Sequence, residues 1–424
     1  MTERGDFSAP ISVAWRDGRF AIGSGAEALA YGVRSPGTGA GPGSRGADPE
    51  GAEQVDAGPI LDRVSEGWII PGLVDAHVHA AWHAFDAADR ANVGPAETRE
   101  LTSRALDRTL RAGFTSVRDA GGLTNELLSA EPSGPAVGPN RSARALPRIA
   151  RSITMIDRAR ADAAGGLDRA VAEVLELGAR WVKLVATAGV AAPAGATLDP
   201  RFSATEVAGA VTRADAAGAR VMVHAWGGEA IDFAIEAGAA SIEHGMYLTE
   251  EQAQRAADAG VTFVPTVRIY RLVRRMIDAG RLPAAFAARV DDAIAHHPVA
   301  VRAARDAGMR IALGTDYGTT EQHGTNRLEF EALVSAGLTP EEALIAATRS
   351  GAELLAQAAD PGAASDPGRR GVIADGAVAD AVILNRDPRE PGVLSDDASI
   401  VGVLLGGRWI DPHPPAAETA PEPR

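Results

Sequence analysis

The sequence predicts an α/β protein: a (β/α)8 TIM barrel with a small β-sandwich-like domain built from both chain termini. Three observations carry this. Eight short apolar runs are spaced over about 290 residues, most of them separated by Ala-rich helical patterns that end in an Ala/Gly turn. Strand-and-turn patterning at both ends flanks this long middle. Reactive side chains recur just after the apolar runs, where a barrel presents its chemistry. A doubly wound open sheet is the competing architecture and accounts for less of the pattern.

Residues 11–23, ISVAWRDGRFAIG, read as a strand, an Asp17-Gly18 turn and a second strand. The Gly- and Pro-rich tract that follows, about 33–54, has too little apolar surface to offset its ordering entropy and predicts a flexible insertion. The apolar runs are 68–74, 114–117, 148–153, 181–185, 220–223, 240–242, 261–264 and 310–313. Helices between them close with turns such as LRAGF, LELGARW and IEAGAAS, whose glycine supplies a left-handed cap before the next strand. Near the C-terminus, GVIADGAVADAVILN and IVGVLLGGRWI read as strands around Asp375-Gly376 and Gly406-Gly407. The expected division is therefore 1–66 with 369–411 as one small β domain, 67–368 as the barrel, and 412–424 as a disordered, Pro-rich tail.

Composition narrows the function. Forty-two basic against 56 acidic residues give a net charge of −14, which disfavours nucleic acid or an anionic membrane as partner. With no cysteine, the chain has no disulfide, thiolate zinc site, iron–sulfur cluster or cysteine nucleophile, so a metal must be held by nitrogen and oxygen. No run approaches about 18 apolar residues, and MTERGDFSAPISVAW lacks a signal-peptide core, so a cytoplasmic protein is expected.

Four of the nine histidines fall at or just beyond run ends: His77 and His79 in DAHVH, His224 in VMVHAWG and His244 in IEHG. Asp316 ends the eighth run, in IALGTDYG, and Lys183 lies within the fourth, in WVKLV. Alternate residues on a strand share a face, so His77 and His79 aim at one point, and two imidazoles so placed suit a metal ion. Arg118 and Asp119 follow the second run and are expected to support these histidines. His296-His297-Pro298 is expected at the surface, His83 in a loop at the barrel mouth, and Asn326, Arg327 and Glu329 as anchors of the helix that follows them. The G-x-G-x-x-A pattern at Gly23 lacks a preceding buried strand and is set aside as a dinucleotide site.

With these residues in place, the chain resembles the amidohydrolase superfamily, and within it the imidazolonepropionase-related, prolidase-like branch. The supporting stretches are PGLVDAHVH, TSVRDAGG, GARWVKLVATAG, VMVHAWGGEAIDFAIEAGAASIEHG, ALGTDYG and HGTNRLEFEALVSAGLTPEEALIAAT. The resemblance implies two divalent ions, zinc first, with manganese, cobalt or iron as alternatives. His77, His79 and Asp316 would hold the more buried ion, His224 and His244 the second, and a carbamylated Lys183 would bridge both. Asp316, Lys183 and His244 form the implied catalytic set. The implied reaction is hydrolysis of an amide C–N bond in a dipeptide, N-acyl amino acid or related amide, by attack of a metal-bridging hydroxide. A deaminase or a cyclic-amide (imidazolone-type) hydrolase is the alternative on the same scaffold. His323, Arg268 and Tyr247 are the candidate substrate contacts, with Arg268 suited to pairing a substrate carboxylate. The expected partner is a small amide or peptide-like molecule, and homo-oligomers are common among relatives.

Overall fold

The computed structural model describes residues 12–23, 67–129, 145–190, 192, 195–358 and 368–414. The expected insertion at 33–54, the Gly23 pattern beyond Gly23 itself, and the tail from 415 onward lie outside the described residues.

Strands β1 (Ser12–Arg16) and β2 (Arg19–Gly23) form a hairpin with Trp15 opposite Phe20. Its two-residue turn needs positive φ at both positions, and Asp17 and Gly18 supply φ of 50° and 74°. The hairpin does not stand alone. Phe20 N donates to Ala377 O at 2.9 Å, and Phe20 is buried in a cluster with Val372, Ala379 and Leu404.

The run 68–74, expected as one barrel strand, is two strands in two sheets. β3 (Trp68–Pro71) pairs antiparallel with β12 (Ala381–Leu384), which continues to β13 (Ile400–Leu405) and β14 (Arg408–Ile410). β4 (Leu73–Val78) belongs to a parallel sheet with β5 (Phe114–Asp119) and β6 (Arg148–Arg151). Gly72 sits at the break because the backbone passes against Thr115: a Cβ there would lie 2.2 Å from Thr115 Oγ1.

A second parallel sheet runs in the order β11 (Thr262–Val264), β10 (Ser241–His244), β9 (Arg220–Ala225), β8 (Trp181–Val185), β7 (Met155–Ile156). The third run holds only β6 and ends at Ile153, with φ 66°, and β7 begins beyond it at Met155. The eighth run is an extended segment rather than a regular strand, with isolated bridges from Ile311 to Phe263 and from Tyr317 to Val78. It links the two sheets nonetheless. Ala312 N donates to Phe263 O at 2.9 Å on one side, and Ala76 N donates to Leu313 O at 2.8 Å on the other.

The helices between strands follow local rules. Those at Ala204–Ala216, Glu250–Asp258 and Pro340–Ile345 open with capping boxes, Ser203/Glu206, Thr249/Gln252 and Thr339/Glu342. Their inner faces are built from small residues such as Ala210, Ala214, Ala253 and Ala256, packed in one core with Val182, Val221, Val223 and Ile242. Small side chains let helices lie close to the sheet, which keeps the strand ends at fixed spacing. Among the described residues, no helix is long and apolar enough to cross a membrane.

Candidate active site

The chemistry gathers where the parallel strands end. His77 lies on β4 and His79 just past it; both are buried. Asp316 lies opposite them, its N–H donating to His77 O at 2.7 Å. Asp316 Oδ1 is 3.4 Å from His77 Nε2 and 3.3 Å from His79 Nε2. Lys183 Nζ, from β8, is 3.3 Å from His77 Nε2. The His244 ring, at the end of β10, lies 5.0 Å from the His77 ring and 4.6 Å from the His224 ring, from β9. All six expected ligands therefore form one contiguous cluster drawn from five segments. Ligand atoms of His77, His244 and Asp316 lie within 4.8 Å of one another.

Two of these residues have unusual backbones. His244 and Asp316 sit at φ of 72° and 55°, in the left-handed region that costs a non-glycine residue of order 1–3 kcal/mol. At His244 the turn lets two successive residues, Glu243 and His244, both serve the interior, which plain strand alternation forbids.

Three of the four imidazoles are held from behind. His77 Nδ1 donates to Glu243 Oε2 at 2.6 Å, His79 Nδ1 to Gly121 O at 2.9 Å, and His244 Nδ1 is 2.8 Å from Thr266 Oγ1. For His77 and His79 this fixes the proton on Nδ1 and leaves the Nε2 lone pair free toward Asp316. His224 Nε2 is buried without a hydrogen-bond partner. Free imidazole nitrogens facing a carboxylate are the donor set a divalent cation needs.

Glu243 received no role from sequence. It is fully buried, and Arg118 Nη2 donates to its Oε1 at 2.9 Å. Arg118 also donates to Ala76 O at 2.7 Å and to Ser241 Oγ at 2.9 Å, and lies over the Trp181 ring at 4.4 Å. Arg118 thus reaches His77 through Glu243. Asp119 supports a loop instead, accepting from the N–H groups of Ala80 at 2.8 Å and Gly121 at 3.0 Å, so it acts on His79 through the Gly121 carbonyl. On the other side of β4, Asp75 accepts from Thr315 Oγ1 at 2.7 Å and Asn326 Nδ2 at 2.8 Å.

These surroundings set the ionisation states. Burial raises the Glu243 carboxyl, but the Arg118 charge and the His77 hydrogen bond outweigh it and bring it to about 2. Burial likewise works against Asp316, yet the His77 and His79 rings beside it hold it well below the carboxylate range. Burial lowers Lys183 to about 8 despite Glu243 and Asp316 nearby. His224 falls to about 3, chiefly from burial and then the Lys183 charge, so its ring is neutral.

The candidate substrate contacts each have a partner within the protein. His323 is fully buried, with Nδ1 3.0 Å from Thr109 Oγ1. Arg268 donates to the Tyr317 hydroxyl, and Tyr247 to the Asp292 carboxylate. Three expectations are corrected. His297 is buried inside the helix Ala287–Asp306, with Nε2 2.9 Å from His244 O, because its face of the helix turns toward the cluster. Asn326 serves Asp75, not a helix cap. Glu329 accepts from the N–H groups of Val267 at 2.6 Å and Arg268 at 2.9 Å, capping the helix Val267–Asp278 rather than its own.

Comparison with known proteins gives the family. An uncharacterized protein of Mycobacterium tuberculosis is 34% identical over 359 residues, spanning 82% of this chain and 86% of that protein. Ochratoxinase of Aspergillus niger is 27% identical over 371 residues, spanning 80% of this chain and 75% of that enzyme. The crystal structure of a prolidase complexed with N-methylphosphonate-L-proline superposes with a TM-score of 0.70 at 28% identity, covering 81% of this chain and 86% of that one. These relatives fit the prolidase-like branch that the sequence motifs resemble. The family is metal-dependent, and its model, the amidohydrolase family, matches residues 68–410, a span that begins just before the His77-x-His79 strand and takes in every member of the cluster. The chain belongs to the amidohydrolase family and is a hydrolase acting on carbon–nitrogen bonds.

Proposed function

We propose that this chain is a binuclear metal-dependent amidohydrolase that cleaves the amide bond of a dipeptide, an N-acyl amino acid or a related small amide. The observation that carries the reading is the cluster itself: four imidazoles, a carboxylate and a buried lysine around one centre, with the Nε2 atoms of His77 and His79 facing Asp316 and an unpartnered Nε2 on His224. We take the linked parallel sheets to be one closed (β/α)8 barrel, and the terminal strands to be one β domain beside it.

His77, His79 and Asp316 would hold one ion and His224 and His244 the other. Lys183 is the bridging candidate. Its amine, lowered to about 8 by burial, has a neutral fraction near pH 7 that can add carbon dioxide. The carbamate replaces a cation that is costly to bury with an anion carrying two oxygens. When bound, zinc or a similar ion supplies Lewis acidity, lowering the pKa of water and polarising a carbonyl. Asp316 is placed to take a proton as water adds to the carbonyl carbon and to deliver it to the leaving amine. His244, held through Thr266, keeps the opposite wall of the site fixed. The likeness to a prolidase crystallised with a proline-containing ligand supports an amide whose leaving group is an amino acid.

The test is metal analysis with a substrate screen. Purified protein should carry two ions per chain and should hydrolyse members of a panel of dipeptides and N-acyl amino acids varied at the C-terminal residue. One ion per chain with release of ammonia from a ring substrate would favour the deaminase reading instead.

A further inference from the structure

On the helix Val267–Asp278, Arg268, Arg271 and Arg275 follow one another at spacings of three and four, so their side chains share one face. Together with Glu331 and Ser335 of the helix Leu328–Ala336 they line a cavity of about 530 Å³. Its charge is out of keeping with the rest of the molecule. The chain has a net charge of −14. Its surface arginines are commonly matched with acids: Arg274, on the same helix, lies 2.7 Å from Asp291, and Arg255 pairs with Asp232 at 2.7 Å and Glu236 at 2.8 Å. The side chains of Arg271 and Arg275 have no hydrogen-bond or ion-pair partner among the described residues. The one carboxylate in the lining, Glu331, is already engaged as acceptor for the Gly392 N–H at 3.1 Å.

The three guanidiniums carry like charge with one carboxylate among them, and Arg271 and Arg275 are exposed, so solvent rather than an acid partner screens their repulsion. A bound anion would remove the repulsion, and each guanidinium offers a planar fork that matches two oxygens of a phosphate or carboxylate. We propose that this cavity binds a small dianion, the charge pattern shared by phosphate monoesters and dicarboxylates. The site is separate from the histidine cluster, although Arg268 spans the distance by donating to the hydroxyl of Tyr317, the residue after Asp316.

Calorimetric titration of the metal-loaded protein with inorganic phosphate, and separately with succinate, at fixed ionic strength tests this. The comparison is between the wild-type protein and the double variant Arg271→Gln/Arg275→Gln, with Arg271→Lys/Arg275→Lys as a charge-preserving control. Arg268 is left intact because it is also a candidate substrate contact. Wild-type protein should bind at least one probe saturably below about 10 mM. The Gln double variant should bind at least tenfold more weakly, and the Lys variant should fall between. Any phosphate taken up at the metal centre persists in both variants and is subtracted by the comparison. The stronger of the two arms identifies phosphate or carboxylate chemistry. Equal binding by wild-type and Gln variant, or no saturable binding to wild-type protein, would overturn the proposal. So would a change of association state in the Gln variant, measured by sedimentation, without a loss of anion binding, since that would make the face a subunit contact.

Discussion

Replacing Glu243 with Gln isolates the buried support behind His77. The substitution keeps the side-chain shape, leaves Arg118 as a fully buried cation facing a neutral amide, and removes the anion that accepts from His77 Nδ1. In the folded chain the Glu243 carboxyl lies at about 2 against an ordinary 4.5. At about 1.4 kcal/mol per pH unit, that displacement amounts to about 3 kcal/mol. The same size is typical of a buried ion pair that loses one partner. The sign follows from a lowered carboxylate pKa: the contribution is present above about pH 4.5 and is lost as pH falls through 2. Urea unfolding of chelator-treated protein at pH 7 should therefore show Glu243→Gln less stable by about 3 kcal/mol. Metal affinity, measured by competition with a chromogenic chelator, should fall about 10- to 100-fold, because the His77 ring loses its orienting acceptor. Pairing the change with Arg118→Met should recover part of the stability, since the stranded charge is gone. A Glu243→Gln protein within about 0.5 kcal/mol of wild type and with unchanged metal affinity would refute the reasoning.

Lys183→Ala should release at least one metal and lower turnover by orders of magnitude, with partial recovery in acetate or propionate; full metal content with near-native turnover would remove the bridging role. Burial raises Glu329 to about 8, so its neutral form is the one the fold accommodates, and stability should decline as pH rises from about 4.5 through 8. Glu329→Gln should flatten that decline, read as the difference between urea midpoints at pH 5 and pH 9. A Cβ at Gly314 would lie 2.4 Å from Val264 Cγ1 and 2.9 Å from His77 Cβ, so Gly314→Ala should cost about 1–3 kcal/mol in thermal or urea unfolding and weaken metal binding by displacing His77.

The positions His77, His79, His224, His244, Lys183 and Asp316 were legible because strand ends carry the chemistry in this architecture and reactive residues stood out after apolar runs. Glu243 was not, because alternation places neighbours on opposite faces, and only the positive φ at His244 lets both serve the centre. His297 was hidden by its neighbours: a His-His-Pro sequence reads as a helix end, yet the helix Ala287–Asp306 runs through Pro298. The division of 68–74 between two sheets depends on Gly72 passing under Thr115, a long-range contact that a seven-residue apolar run does not reveal. The roles of Asn326 and Glu329 were misjudged for a related reason: their partners, Asp75 and the N–H groups of Val267 and Arg268, are remote in sequence.

The union of the first hairpin with the last strands bears on how the chain is made. Arg19 Nη1 donates to Gly376 O across 357 positions of sequence. At about 5–20 residues per second, a ribosome takes roughly 20–70 s to span that gap. Throughout that interval β1, β2 and β3 have no β12 or β13 to join, and their edges stand open to other nascent chains on the same message. Seen this way, the aromatic hairpin around Trp15 and Phe20 is the segment most in need of shielding during synthesis, and slowing translation late in the message should lower the yield of folded protein more than slowing it early.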